Sequence, residues 1–470
     1  MRISRNFFGN TLVAYIGTFV LIGLGVVGKM LLARILAPGE LGVFISAQIA
    51  FGMMAFLGGL SVPDAIARFV GLYSPDSPRS LEVLSRGLRL AVGFALLLTL
   101  IAVLWEWGMS AQFSRDPRYS IIGVLIALAM PFKVAADAIG AANQGAGRLY
   151  IKTAVVDVVP AIAFACGLGF LAVSGMGSLN LVAVAYVLSI ALSPFLFFGA
   201  FSIRAIVRPC GASVRYGEIV RYSLPLLLSG AVAWPLTLVP IVVGRQTSAE
   251  AVSYYSLAIS LGSFIYLGTA VMEAAGLSAW SSYLGRGDVR QLEDDYRLST
   301  RCGLLVGSVV FAALSTCPRD IVALLFGARY EPIARILPYM SCIFFANLMT
   351  GPTESLLKAH GETRFILTAR LTAGAVVAAT LYPFLRLWGL NGAVAVYGLA
   401  TIIGGVAMYS WRLYRRYRLH PIDGYFLRTL GSVAGALILA FLAHGRLVVF
   451  WGAIGAISAT VVGISTHRSE

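Results

Sequence analysis

Fourteen apolar stretches, each long enough to cross a lipid bilayer, follow one another along 470 residues and leave no gap wide enough for a soluble domain. They lie near 10–34, 41–70, 87–108, 119–142, 152–173, 179–203, 222–245, 251–284, 299–318, 335–358, 365–386, 391–412, 425–443 and 447–465. About 20 apolar residues coiled as a helix match a hydrocarbon core of ~30 Å. Lipid offers no partner to an unpaired backbone group, so only helices or closed barrels span it. Barrel strands are ~10 residues of alternating polarity, and these runs are far longer. Charged residues are 12% of the chain, about half the ~25% of ordinary soluble domains. Mean hydropathy is +0.84. The pattern predicts an all-α integral membrane protein of 14 transmembrane helices.

The charges add orientation. The chain carries +15 overall, with 36 Lys+Arg against 21 Asp+Glu. Taken in alternate loops, 25 of the basic residues fall on one side and 8 on the other, with Lys29, Arg34 and Lys133 inside the spans. The positive-inside rule places the richer side in the cytoplasm. Both termini are then cytoplasmic, which an even number of spans satisfies. The clustered arginines serve attraction to anionic membrane lipids rather than nucleic acid. The apolar run after Arg2 and Arg5 is too long for a cleaved leader and reads as a retained first helix. The five cysteines are scattered, and the four histidines sit at span ends, in loops or in the tail. No metal cluster or catalytic domain is expected, and no G-x-x-x-x-G-K-[ST] loop for a nucleotide cofactor occurs.

An internal repeat divides the chain. Arg34-Ile-Leu-Ala-Pro-Gly-Glu-Leu-Gly-Val-Phe44 lies over Arg245-Gln-Thr-Ser-Ala-Glu-Ala-Val-Ser-Tyr-Tyr255 at a shift of 211 residues. Gly145-Ala-Gly-Arg148 lies over Gly361-Glu-Thr-Arg364 at a shift of 216. The predicted architecture is two pseudo-symmetric six-helix lobes, an N-lobe over 1–205 and a C-lobe over 216–420, with two extra helices over 421–470. Six helices per lobe give both the same orientation, a parallel repeat around a central cleft suited to alternating access.

Several motifs in order resemble one family. Ala33-Arg34-Ile35-Leu36-Ala37-Pro38-Gly39-Glu40-Leu41-Gly42 is similar to the "AR-x-L-G-P-x-x-Y-G" signature of polysaccharide-export flippases, with Ala37 and Leu41 departing from it. Gly59-Leu60-Ser61 with Asp64-Ala65-Ile66-Ala67-Arg68 resembles the end of their second helix, and Ser223-Leu224-Pro225 the start of their second lobe. Leu325-Phe326-Gly327-Ala328-Arg329-Tyr330 and Leu390-Asn391-Gly392-Ala393 resemble later motifs. The family belongs to the multidrug/oligosaccharidyl-lipid/polysaccharide exporter superfamily. The resemblance implies a bacterial inner-membrane flippase, not an enzyme. It would move an undecaprenyl-pyrophosphate-linked oligosaccharide for surface or exported polysaccharide, alongside glycosyltransferase or polymerase partners.

Charges inside the spans are the candidate site, because a mid-membrane charge costs ~2.5–3.5 kcal/mol or more without a partner or a wet cavity. Lys29, Arg34, Lys133 and Arg245 are candidate contacts for a phosphate or other anion. Asp64, Arg68, Asp137, Glu273, Asn347 and Glu354 are candidate coupling-ion groups or counter-charges, with Asp157 a further buried acid. Asp64 with Arg68, and Lys133 with Asp137, are spaced four apart on one helix face, which predicts two ion pairs. A multidrug or metabolite antiporter of the same superfamily is the alternative. A membrane polymerase or ligase needs a long outer loop with a nucleophile and base, and the longest, 318–335, has neither. A scaffold accounts for the spans but not for the repeat or the buried charges.

Overall fold

A computed structural model describes residues 20–435 apart from 22, 74–76, 114–116, 198–214, 233, 268, 270–279, 281–282, 421–425, 429 and 432–434. The last two expected spans therefore lie almost wholly outside the described residues, and the first lies partly outside. Every described element is helical. Among the described residues eight helical segments are long and apolar enough to cross a membrane, one of them 55 residues long. The chain divides into two compact units, 1–234 and 235–470.

Unit 1 contains α1 (23–35), α2 (Pro38–Gly59), α3 (Val62–Tyr73), α4 (Pro78–Phe113), α5 (Pro117–Ala127) and α6 (Met130–Gly145). α7 (Leu149–Lys152) runs into a π-helix, Thr153–Val158, then α8 (Val159–Ser174). α9 (Leu179–Phe197) and α10 (Tyr216–Ala231) complete it. α3 packs against α4 and α6, and α8 against α9. Pro160 explains the π-helix: it has no N–H for the carbonyl four residues back and its ring crowds that carbonyl, so the coil widens.

In unit 2, α11 (Trp234–Gln246) starts at the division, and α12 (Ala249–Ser263) and α13 (Val289–Thr316) follow. Then come α14 (Pro318–Phe326), α15 (Ile333–Met349) and α16 (Thr353–Ala359). α17 (Thr363–Ala400) continues through a second π-helix, Thr401–Ala407, into α18 (Met408–Tyr417). Gly389, at φ 55° and ψ −131°, breaks α17 where the eleventh and twelfth spans were expected to part. That conformation is open only to glycine.

Besides the seventh, whose residues fall to α10 and α11, three expected spans are broken rather than continuous. Leu60 and Ser61, both at φ 50°, end α2 in the left-handed region before Pro63 restarts the coil as α3. The fourth span breaks at Leu128–Ala129 ahead of Pro131, and the tenth at Thr350–Pro352.

The matched motifs can be compared in their local geometry. Pro38 opens α2 at its first turn, and the Ala37 N–H donates to the Glu40 carboxylate at 3.2 Å. At the matching place Ser248 caps α12, its hydroxyl accepting from the Ala251 N–H at 3.2 Å. The two caps are 211 residues apart, as the motif match requires. Phe44 and Tyr255, also 211 apart, are both fully buried. The second match needs correction. Gly147 and Gly361 both adopt the left-handed conformation, at φ 75° and 74°. In one turn Ala146, Gly147 and Arg148 donate to the carbonyls of Ala142, Gln144 and Asn143. In the other, His360, Gly361 and Glu362 donate to Leu356, Lys358 and Leu357. The offset is 214, not 216, so Arg148 answers to Glu362 and not to Arg364. The left-handed glycine sets the register, and a motif match that pairs Gly145 with Gly361 slips by two.

Candidate functional site

In unit 1 the charges gather where α6 meets the π-helix. Lys133 Nζ and an Asp137 carboxylate oxygen are 2.7 Å apart, with both side chains about a third exposed at 33%. The pair predicted from spacing is therefore made. Asp157, in the π-helix, lies within electrostatic reach of Lys133, Lys152 and Asp137. Lys152 Nζ donates to the Gln144 amide oxygen at 2.7 Å and also acts on Asp64. The second predicted pair is not made. Asp64 and Arg68 are both exposed on α3, and no ion pair joins them. Instead the Arg68 guanidinium lies 4.4 Å from the centre of the Tyr222 ring on α10 and 5.9 Å from Phe69. Spacing puts two side chains on one face. It does not outweigh an aromatic ring that captures the longer one.

Lys29 is exposed on α1, Arg34 is exposed one turn later, and Arg245 is exposed at the end of α11. Glu273 lies outside the described residues. Asn347, part-buried on α15, accepts a hydrogen bond from the Thr350 hydroxyl through its backbone carbonyl at 2.8 Å.

Unit 2 gathers its charges where α16, α17 and α18 end. Glu354 Oε1 is 2.7 Å from Lys358 Nζ on the same helix and 2.8 Å from Arg370 Nη2 on α17. The Tyr409 hydroxyl of α18 lies 3.5 Å from the other carboxylate oxygen. Eight residues on, just past the end of α16, Glu362 is a hub. It takes Arg412 at 2.9 Å, Arg416 at 2.8 Å and the Tyr417 hydroxyl at 2.8 Å. Burial works to raise the Glu362 pKa, but hydrogen bonds from Arg412 and Tyr417 and the charges of Arg412 and Arg416 outweigh it and hold the carboxyl below its ordinary value. His360 Nδ1 lies 2.8 Å from the Leu356 carbonyl, and its ring sits 3.9 Å from that of Tyr417. Trp280, Leu292, Tyr296, Leu357, Ile366 and Leu413 form the apolar cluster beneath this end.

Sequence reading passed over Glu362, Arg370, Arg412 and Arg416. The available signal was that Glu362 is the one acid in an otherwise basic turn, Lys358 to Arg370. Among the described residues no group of His, Cys, Asp and Glu could hold a metal. Unit 2 also contains a cavity of about 860 Å³, lined largely by apolar side chains including Tyr339, Ile343, Phe384, Trp388 and Ile402, with Asn391 among them.

Residues 225–383 match the MatE family model. No curated protein matches the chain in sequence. Among solved structures, the lipid II flippase MurJ in an inward closed conformation superposes with a TM-score of 0.74 at 16% identity, over 98% of this chain and 100% of that one. An inward-facing multidrug resistance MATE family transporter of the MOP superfamily gives 0.67 at 16% identity, over 83% and 93%. A MOP superfamily transporter from Pyrococcus furiosus, described as having a binding pocket of reverse polarity, gives 0.59 at 15%, over 86% and 94%. These neighbours are transporters and a flippase, and the chain shares their all-helical fold, with a MatE match over 225–383.

Proposed function

We propose that this protein is a flippase of the bacterial inner membrane that carries an undecaprenyl-pyrophosphate-linked oligosaccharide to the outer leaflet by alternating access, for surface or exported polysaccharide. The observation that carries the reading is the full-length likeness to a lipid-linked-substrate flippase, 98% of one chain over 100% of the other. The cationic side chains fit it. Lys29 and Arg34 on α1, and separately Arg245 on α11, are exposed cations of the kind that meets a pyrophosphate and replaces part of the hydration it loses. Lys133 is already paired with Asp137, so with Asp137 and Asp157 it forms a group of formal charge −1 that takes up or releases a coupling cation. The apolar cavity walled by Trp388 and Phe384 accepts part of a prenyl chain.

The second reading is a cation-coupled antiporter for drugs or metabolites. The MatE match over 225–383 favours it, as does the likeness to the inward-facing multidrug resistance transporter. One experiment separates the two. Deleting the gene traps lipid-linked glycan on the cytoplasmic leaflet and depletes surface glycan if the protein is a flippase. Normal surface glycan with raised drug sensitivity overturns that reading in favour of the antiporter.

A further inference from the structure

α18 presents three differently used faces. Tyr409 and Leu413 are buried in the apolar cluster. Arg412 and Arg416 are committed to Glu362. The remaining stripe is Trp411, Tyr414 and Arg415, spaced i, i+3 and i+4, continued by Arg418, the left-handed residue at φ 57° that caps the helix, and all four are exposed. Trp411 is 50% and Tyr414 53% accessible. Each ring carries an arginine: Arg415 sits 5.3 Å from the centre of Trp411, and Arg418 sits 5.8 Å from that of Tyr414. Among the described residues neither arginine has a carboxylate partner, and α18 itself contains no acid.

Depth explains the composition. From the Gly389 break to Tyr417 is 28 residues, or ~42 Å at 1.5 Å per residue. A hydrocarbon core is ~30 Å, and ~40–45 Å with its headgroup layers. With Gly389 at the far edge of the core, the core ends ~20 residues on, near Tyr409, and Trp411 to Arg418 lie in the headgroup layer and the water beyond it, on the arginine-rich side. There, exposed aromatic rings are stable half in lipid and half in water. A positive charge held beside such a ring sits where anionic phosphate headgroups lie.

We propose that the Trp411–Tyr414–Arg415–Arg418 stripe is a docking site for the phosphate headgroups of anionic phospholipids in the cytoplasmic leaflet. It is separate from the transported substrate's path, and it leaves Arg412 and Arg416 to their structural work.

The probe is dansyl-labelled phosphatidylglycerol, titrated into the full-length chain in phosphatidylcholine nanodiscs. The signal is the energy transfer that Trp411→Phe removes in each background. Arg415→Gln and Arg418→Gln each weaken apparent affinity on the order of fivefold. The weakening is smaller at high ionic strength. Arg415→Lys with Arg418→Lys keeps most of the affinity, which controls for folding. Unchanged affinity in the double glutamine variant overturns the proposal. So does loss of affinity in the lysine variant, which would assign the effect to structure rather than charge. Added undecaprenyl pyrophosphate provides the last arm. If it displaces the probe at lower concentration than unlabelled phosphatidylglycerol does, the stripe belongs to the substrate and the proposal fails.

Discussion

The same turn closes α6 in unit 1 and α16 in unit 2, with the same three backbone hydrogen bonds and a left-handed glycine at φ 75° or 74°. The next residue differs in charge. Arg148 is exposed, and among the described residues its side chain makes no ion pair. Glu362 clamps two arginines and a tyrosine of α18. The contrast extends one and two turns back. Gly140, in unit 1, sits so close to the next span that an added Cβ would come 2.7 Å from Val156. Its counterparts at the 214 offset are Glu354 and Arg370, which join by a salt bridge of 2.8 Å. Unit 1 packs the Val156 and Lys152 side chains of its fifth span onto the bare Gly140 of its fourth; unit 2 fastens its tenth and eleventh by charge. A shared backbone shape thus leaves the means of attachment open, and close approach is less sensitive to pH and salt than an ion pair.

The largest effect is expected at Gly145, where a Cβ would run into the Ala67 carbonyl of α3. Gly145→Ala should cost about 3 kcal/mol, because backbone cannot move aside as a side chain can. Its counterpart is already alanine, Ala359, and Ala359→Gly should cost no more than ~1 kcal/mol from helix propensity. Thermal unfolding of the purified chain measures both, and similar losses would break the comparison.

Glu362→Gln comes next, at about 2 kcal/mol, below the ~3–5 of a fully buried pair because Arg416 is half exposed. Its sign with pH is fixed. The folded carboxyl is held below its ordinary value, so its stabilisation is present above the unfolded glutamate value of ~4.3 and fades as pH falls through the lower folded value. Wild type and variant should therefore converge in acid, and a gap that persists there refutes the clamp.

Glu354→Gln should cost about 1 kcal/mol, since Lys358 and Arg370 are 43% and 41% exposed. A double-mutant cycle on Lys133 and Asp137 should return a coupling of only ~0.5 kcal/mol. A transport defect much larger than that stability change would mark the pair as functional. Arg148→Gln should fall within ~0.5 kcal/mol of wild type. A loss equal to that of Glu362→Gln would show that the two turns are not used differently.

Much of this was legible in the sequence because it rests on period and composition. Apolar runs gave the helices, and the paired motifs at Arg34 and Arg245 gave caps that fall 211 residues apart. The Lys133–Asp137 pair followed from helical spacing, since nothing nearby competes for Lys133 more strongly. Asp64–Arg68 had the same spacing and failed, because Tyr222, more than 150 residues away in sequence, takes the guanidinium. The Glu362 hub was hidden for the same reason: its partners lie 50 and more residues further on. The two-residue slip between Gly145 and Gly147 shows the other limit. Letters alone do not say which glycine is left-handed.

The π-helix at Thr153–Val158 carries one residue more than the coil on either side needs. Removing a single residue there, Val155 for instance, would let the segment shorten to an ordinary α-turn with both flanks in phase. The same deletion a turn into α8, at Ala163, would swing everything beyond it by about 100°. A single-residue deletion along this span should thus be absorbed next to Asp157, in the one widened turn, and nowhere else.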